Sequence, residues 1–156
     1  KGWNYEGGIR VPLVVYWPGN TKANSTSHAL VTGTDYYPTL LGMLGLPLLP
    51  NQHVDGKSFV PALKGKDHNR GAIYWHFPHY SNHGYQSPGG AIRLGDYKLL
   101  EYFENGTVQL FDLKKDLGEK NDISKSKPEI TKKLLKMLKD WRREVDAKMP
   151  VAKTGR

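Results

Sequence analysis

The first part of the chain carries continuous apolar runs. Residues 11–16 read Val-Pro-Leu-Val-Val-Tyr and are bounded by Trp17-Pro18-Gly19-Asn20. Such a run predicts a strand buried on both faces of a parallel sheet, with Pro12 near its start, where a missing N–H is tolerated. The apolar stretch 29–31 is consistent with a second strand, and residues 34–45 predict a short helix.

From Ala72 onward, shorter runs take over. Four of them predict strands, at residues 72–77, 91–93, 97–102 and 107–113. Gly95-Asp96 joins the second strand to the third. Asn105-Gly106, a strong two-residue hairpin signal, joins the third to the fourth. The alternation in the third strand divides its side chains between two faces: Tyr97, Leu99 and Glu101 against Lys98, Leu100 and Tyr102. The pattern predicts an antiparallel meander.

A final helix is indicated by both its start and its periodicity. Ser126-Lys127-Pro128-Glu129 reads as a capping box with proline in the first turn. One apolar stripe then recurs at helical spacing: Ile130, Leu134, Leu138, Trp141 and Val145. A helix with a single apolar stripe must pack on another element, and the meander is the nearest sheet.

Composition narrows the possible chemistry. The chain has 156 residues and no cysteine, which excludes a disulfide, a thiolate metal site and a cysteine nucleophile within it. No run of about 18 apolar residues is present, so no membrane span is predicted. The net charge of +8 lies mostly after residue 113, where Lys and Arg number fourteen and Asp and Glu seven. A solvated helix face explains this excess better than nucleic-acid binding does.

The most specific motif is Lys1-Gly2-Trp3-Asn4-Tyr5-Glu6-Gly7-Gly8-Ile9-Arg10-Val11-Pro12. Its paired glycines admit positive φ and a close backbone approach. Glu6 and Arg10 are expected to pair and brace the loop. The string resembles a motif late in the catalytic domain of type I sulfatases, in which a lysine four residues before an aromatic-Glu-Gly-Gly run reaches the substrate sulfate. Lys1 stands at that place.

Further segments are similar to sulfatase sequence and follow the order of that family. They are residues 34–41, 55–65, 91–99, 110–113 and 116–121. The resemblance implies an α/β fold followed by α+β. Residues 1–66 would be the C-terminal part of the catalytic domain, at the end of a mainly parallel sheet. Residues 67–150 would be a C-terminal subdomain, a small four-stranded antiparallel sheet packed by a helix, and residues 151–156 a loose tail.

The resemblance implies a hydrolase of sulfate esters that acts on sulfated carbohydrate. It also implies a calcium ion, a formylglycine made from Cys or Ser in a Cys/Ser-x-Pro-x-Arg motif, and a periplasmic or secreted location. The chain has no such motif, since Ser126-Lys127-Pro128-Glu129-Ile130 ends in Ile where Arg is required. In the family, the metal carboxylates lie upstream of the position of Lys1. We therefore expect no cofactor within this chain, no activity of the chain alone, and the rest of the catalytic domain as its partner.

Two other functions remain open at this stage. One is a phosphodiesterase of the same superfamily, against which Glu6-Gly7-Gly8 argues. The other is a non-catalytic basic module for an anionic polymer, whose binding would fall in moderate salt without preference for sequence or sugar.

A second candidate site is the run Trp75-His76-Phe77-Pro78-His79-Tyr80-Ser81-Asn82-His83. Aromatic rings stack on sugar faces, and His and Asn bind hydroxyls or sulfate, so His76, His79, Tyr80 and His83 are candidates for substrate binding. A metal site at His76, His79 and His83 would need a helix, which Pro78 disfavours. Ordinary packing at a strand end is the third explanation.

Overall fold

The computed structural model describes residues 2–82 and 85–151. The chain divides into two compact units. One contains the residues up to Val11 together with those from Ala72 onward, and the other is Pro12–Gly71. The α-helices of the described residues are α1 (Glu6–Ile9), α2 (Tyr36–Met43), α3 (Val60–Leu63) and α4 (Pro128–Glu144), and a 3-10 helix, Gly33–Asp35, precedes α2.

Four strands form one antiparallel sheet in the order of the chain, which confirms the predicted meander. They are β1 (Ile73–Phe77), β2 (Gly89–Leu94), β3 (Tyr97–Tyr102) and β4 (Val108–Asp112). The two-residue turn is Gly95-Asp96, because Leu94 pairs directly with Tyr97. Asn105-Gly106 lies in a longer loop, so the prediction of a two-residue turn there was wrong.

Helix α4 covers one face of the sheet, as predicted. Leu134 and Leu138 are buried against Ile92, Leu99 and Leu110. Trp141 is partly buried and stacks on Tyr74, with ring centroids 4.8 Å apart and planes 5° apart. The buried part of the predicted apolar stripe ends at Trp141, because Val145, its last predicted member, is 48% exposed.

The predicted capping box does not form. Lys127 is the N-cap residue, and no side chain caps the helix. The Ser126 hydroxyl instead donates to the carbonyl of Ile123, 3.1 Å away, within the turn that precedes the helix. Pro128 does occupy the first turn, as predicted, where its missing N–H costs nothing.

The opposite face of the sheet is covered by residues 3–10, the motif segment. Ala91, Leu100, Phe111 and Leu113 form the buried cluster on this side, and Tyr5 packs against it. Rings of Trp3 and Tyr102 meet edge to face, as do those of Tyr5 and Phe111. Burial on two sides explains why Ile92, Leu99 and Leu100 are almost fully hidden from solvent.

In the other unit, α2 confirms the predicted helix between residues 34 and 45. Gly45 takes φ +68°, and the N–H of Leu46 reaches back to the carbonyl of Leu41 at 2.9 Å, a Schellman-type ending. Asp35, before the helix, is fully buried. Its carboxylate accepts the N–H groups of Thr32 and Lys57 and pairs with Arg70 at 3.0 Å.

Two expected strands in this region were wrong. Residues 11–16 and 29–31 have no strand conformation. Val14 and Tyr16 are 91% and 85% exposed, where burial on both faces was expected. A strand of a parallel sheet needs hydrogen-bonded neighbours on its edges, and the four described strands pair only with one another.

The division of the chain into residues 1–66, 67–150 and 151–156 stays a prediction. Among the described residues, no helix is long and apolar enough to cross a membrane.

Candidate functional site

The carboxylate of Glu6 anchors the motif segment to the sheet. Its Oε1 lies 3.0 Å from Nζ of Lys98, on the central strand β3, and its Oε2 lies 3.3 Å from Nη1 of Arg93, on β2. Arg10, one helical turn along from Glu6, approaches the same Oε2 at 3.4 Å. The expected pairing of Glu6 with Arg10 is therefore confirmed, but it is the outer part of a larger buried network.

Glu119 completes this network from the loop after β4. Its Oε1 lies 2.9 Å from Nζ of Lys98, and its Oε2 accepts the backbone N–H of Glu6 at 2.5 Å. Lys98 is fully buried between the two carboxylates, and the side chains of Glu6 and Glu119 are 7% and 3% exposed. A buried ammonium is tolerated only when paired in this way.

Arg93 lies at the edge of the network. Burial lowers the pKa of its guanidinium, while the carboxylate of Glu6 acts in the opposite direction. The backbone carbonyl of Gly95 accepts a further hydrogen bond from its Nε at 3.3 Å.

Gly8 shows the close backbone approach expected of the glycine pair. A Cβ built on Gly8 would lie 1.9 Å from the carbonyl oxygen of Trp3, so no larger residue fits without movement of the backbone. Gly7 has open space at the same position, and neither glycine has a positive φ. Gly7 borders an open hollow whose other walls are Tyr5, Leu117, Gly118 and Glu119.

Lys1 lies outside the described residues. What the structure does describe is the segment that follows it. Besides the Glu6 network and the ring contacts of Trp3, the hydroxyl of Tyr5 donates to Oε1 of Gln109 on β4. The motif segment, residues 3–10, thus contacts β2, β3, β4 and the loop after β4.

The histidine-rich run is divided between a strand and an exposed loop. His76 lies in β1 opposite Gly90, and its side chain is on the face that α4 covers. Its Nε2 is 2.8 Å from the carbonyl oxygen of Lys148, and its ring lies 5.4 Å from that of Phe103. One of its two ring nitrogens is therefore already engaged.

His79 and Tyr80 lie after the strand and are exposed. The His79 ring meets that of Phe77 edge to face. The Tyr80 hydroxyl donates to the carboxylate of Glu104, and this hydrogen bond raises the pKa of Tyr80. His83 lies outside the described residues, so the structure does not bring the four candidates together.

Side-chain groups that could hold a metal ion were sought among the described residues. In the ranges 2–82 and 85–151, no group of three or more His, Asp or Glu side chains could hold a metal ion. The chain also lacks Cys/Ser-x-Pro-x-Arg, the string from which formylglycine is made.

Lys98 and Glu119 were not among the candidates from the sequence. The alternation of β3 did place Lys98 and Leu99 on opposite faces of the sheet. Leu99 lies on the face that α4 covers, so Lys98 lies on the other face. The signal in the sequence was a lysine within an otherwise apolar strand, Tyr97-Lys98-Leu99-Leu100. If such a strand is buried on both faces, its lysine needs an acidic partner.

Residues 1–144 match the family model for N-sulphoglucosamine sulphohydrolase, C-terminal. Over 90% of its length, the chain is 33% identical to a sulfatase of Formosa agariphila. Over 92%, it is 31% identical to an N-acetylglucosamine-6-O-sulfatase of Bacteroides thetaiotaomicron. A structure solved in complex with its substrate D-glucosamine-2-N,6-O-disulfate aligns with 85% of the chain, with a TM-score of 0.68 and 26% identity.

The chain spans 28% of the Formosa protein, 27% of the Bacteroides protein and 28% of the solved structure. A family match over residues 1–144, together with two relatives above 30% identity, shows that this chain belongs to the type I sulfatases and is a C-terminal portion of one.

Proposed function

We propose that this chain is the C-terminal part of an enzyme that hydrolyses sulfate esters on carbohydrate. The observation that carries the proposal is the substrate class of similar proteins. One similar sequence is named for N-acetylglucosamine 6-O-sulfate, and one similar structure was solved with a sulfated glucosamine. A sulfated amino sugar is therefore the substrate class to test first.

In this proposal, Lys1 is the catalytic contribution of the chain. A sulfate ester carries one negative charge, and charge builds on the bridging oxygen as the S–O bond breaks. A fixed ammonium near that oxygen stabilises the transition state more than the ground state. A formylglycine would supply the nucleophile, and a calcium ion would supply further positive charge. Here they belong to the rest of the catalytic domain, which is the partner of this chain, in a periplasmic or secreted enzyme.

The histidine-rich run contributes to the substrate pocket. His79 and Tyr80 are exposed on the loop after β1 and are available to a sugar. His76 and His83 complete the proposed set, with His76 supporting the loop from within the sheet. Binding is assigned to sugar hydroxyls or a second sulfate, and not to a metal ion.

The test uses the intact enzyme that contains this chain. We expect release of inorganic sulfate from N-acetylglucosamine 6-sulfate and from an aryl sulfate. The matched control is a nitrophenyl phosphodiester, on which we expect little turnover. Turnover of the phosphodiester without release of sulfate from either ester would favour the phosphodiesterase alternative.

The chain alone is expected to be inactive. Purified chain with calcium and an aryl sulfate should give no release above buffer, while an intact sulfatase serves as positive control. Clear turnover by the chain alone would contradict the assignment of nucleophile and metal ligands to other parts of the enzyme.

A further inference from the structure

The motif segment has little structure of its own. Its single helical turn, α1, contains four residues, and isolated helices of that length are not stable in water. Its conformation therefore depends on the contacts that it makes with the sheet. These contacts come from residues about 90 to 110 positions later in the chain, among them Lys98, Gln109 and Glu119.

Lys98 and Glu119 differ from the other contacts because together they bind both the side chain and the backbone of Glu6. Lys98 holds the side chain of Glu6, and Glu119 holds its backbone N–H. The direct pairing of Lys98 with Glu119 then links the two contacts. A buried network of this kind permits one arrangement of the segment, since any shift would leave a charge without its partner.

The segment also leads directly to Lys1. Trp3 is two residues away along the chain, its carbonyl oxygen packs against Gly8, and its ring lies against Tyr5 and Tyr102. A displacement of Glu6 would therefore be transmitted over a short and closely packed stretch to the start of the motif. Displacement of a reacting group by about 1 Å can lower the rate of an enzyme about a hundredfold.

We propose that Lys98 and Glu119 are positioning residues, which hold the motif segment so that Lys1 meets the substrate sulfate. The inference rests on the proposed function for the role of Lys1, and goes beyond it by assigning a positioning task to β3 and to the loop after β4.

The first experiment measures the support directly. Amide hydrogen exchange is followed in this chain and in its Glu119→Gln variant, which keeps the size of the side chain and removes its charge. We expect exchange at Glu6 and Arg10 to become about tenfold faster or more, because local opening of the segment becomes easier. Exchange in α4, on the other face of the sheet, should change much less.

The second experiment is a double-mutant cycle in the intact enzyme, assayed on an aryl sulfate. Glu119→Gln alone should lower kcat/KM by about ten- to a hundredfold, as expected for a displaced charged group. In a Lys1→Ala background, the same substitution should cost less than about threefold, because the group that it positions is already absent. A merely structural effect would lower both backgrounds by the same factor.

Glu101→Gln is the matched control. Glu101 is also a buried carboxylate paired with a buried cation, Arg142, but it lies on the α4 face of the sheet. Its effect on kcat/KM should be small and equal in both backgrounds. If Glu119→Gln does not yield folded enzyme, Gln109→Leu replaces it in the double-mutant cycle. This substitution removes only the acceptor for the Tyr5 hydroxyl.

Unchanged exchange at Glu6, or equal losses in the two Lys1 backgrounds, would overturn the proposal. Near-normal turnover of Lys1→Ala would contradict the proposed function instead. In that case, the decrease in kcat/KM is compared between Glu119→Gln and Glu101→Gln. A larger decrease for Glu119→Gln would show that the segment is positioned for another contact with the substrate.

Discussion

Nζ of Lys98 lies 2.9 Å from Oε1 of Glu119, and the two side chains are 0% and 3% exposed. The pair joins the interior strand β3 to the loop after β4, and Glu119 of that loop also accepts the backbone N–H of Glu6. Both residues occur in stretches of sulfatase resemblance, yet neither stretch alone indicates that they meet. Their partner Glu6 belongs to the glycine motif, so one network connects three separate parts of the sequence.

We expect Lys98→Met to lower the free energy of unfolding by about 3–5 kcal/mol, because it leaves two buried carboxylates without their shared cation. Urea unfolding of the chain measures this. Lys136→Met is the control, since Lys136 pairs with Asp140 but is 75% exposed, and should change stability by about 1 kcal/mol or less. Equal effects of the two substitutions would show that the Lys98 network adds little to stability.

Lys1→Ala in the intact enzyme should lower the rate on an aryl sulfate by roughly 10²–10³, as loss of one preorganised electrostatic contact does. Steady-state kinetics checks this, with exposed Lys22→Ala as a control for charge. A Lys1→Ala variant with normal kcat and KM would mean that the motif has been aligned wrongly at Lys1.

Trp141→Ala should lower the free energy of unfolding by about 2–3 kcal/mol. This is less than for a fully buried tryptophan, because the ring is only partly covered and its main contact is the stack on Tyr74. Urea unfolding is again the measurement. Leu138→Ala, at a fully buried position on the same stripe, should cost about 2–5 kcal/mol. A loss below about 0.5 kcal/mol for Trp141→Ala would argue that the stack contributes nothing to docking of α4.

His79→Ala in the intact enzyme should impair the sulfated sugar more than the aryl sulfate, because only the sugar reaches beyond the sulfate-binding contacts. Loss of one hydrogen bond predicts a decrease of about ten- to a hundredfold in kcat/KM for the sugar. His28→Ala, at another exposed histidine, is the control. Equal decreases in kcat/KM on both substrates would indicate that His79 acts in the reaction itself. No decrease on either substrate would indicate that the histidine-rich run only packs at the end of the strand.

The stability of the chain should depend on Asp122 at acid pH. Burial would raise the pKa of its carboxyl, but the N–H groups of Leu110 and Ser124 donate to it and hold its pKa below the ordinary value. The stabilisation is therefore present above the pKa of the unfolded chain and is lost as pH falls through the lower pKa of the folded chain. Thermal unfolding of the chain and of Asp122→Asn should differ at pH 7 and converge near pH 2. A constant difference over that range would assign the effect to packing.

The predictions for this chain succeeded where the signal is local. The alternation of apolar residues specified all four strands, with β3 at its observed bounds, and the stripe from Ile130 to Trp141 specified α4 and its docking on the sheet. Periodicity is a property of neighbouring residues, so it survives in the sequence whatever the rest of the molecule does. The family motif was likewise readable, because its residues are contiguous.

Predictions from local sequence were wrong where the conformation of a segment depends on which other groups it contacts. Residues 11–16 have the composition of a buried strand but lie exposed, because strand formation requires a neighbour and not only a pattern. Ser126 has the residue type of an N-cap, but Lys127 takes that position, and the Ser126 hydroxyl donates to the carbonyl of Ile123 instead of accepting an N–H of the helix.

The sequence by itself determined the sheet, its terminal helix and the sulfatase family. Only the tertiary structure decided that Lys98 is buried between Glu6 and Glu119, since 92 residues separate Glu6 from Lys98. A charge in a strand can face solvent or a buried partner, and its own neighbours in sequence are the same in both cases. The choice depends on which segment covers the second face of the sheet, and here that segment is the glycine motif itself.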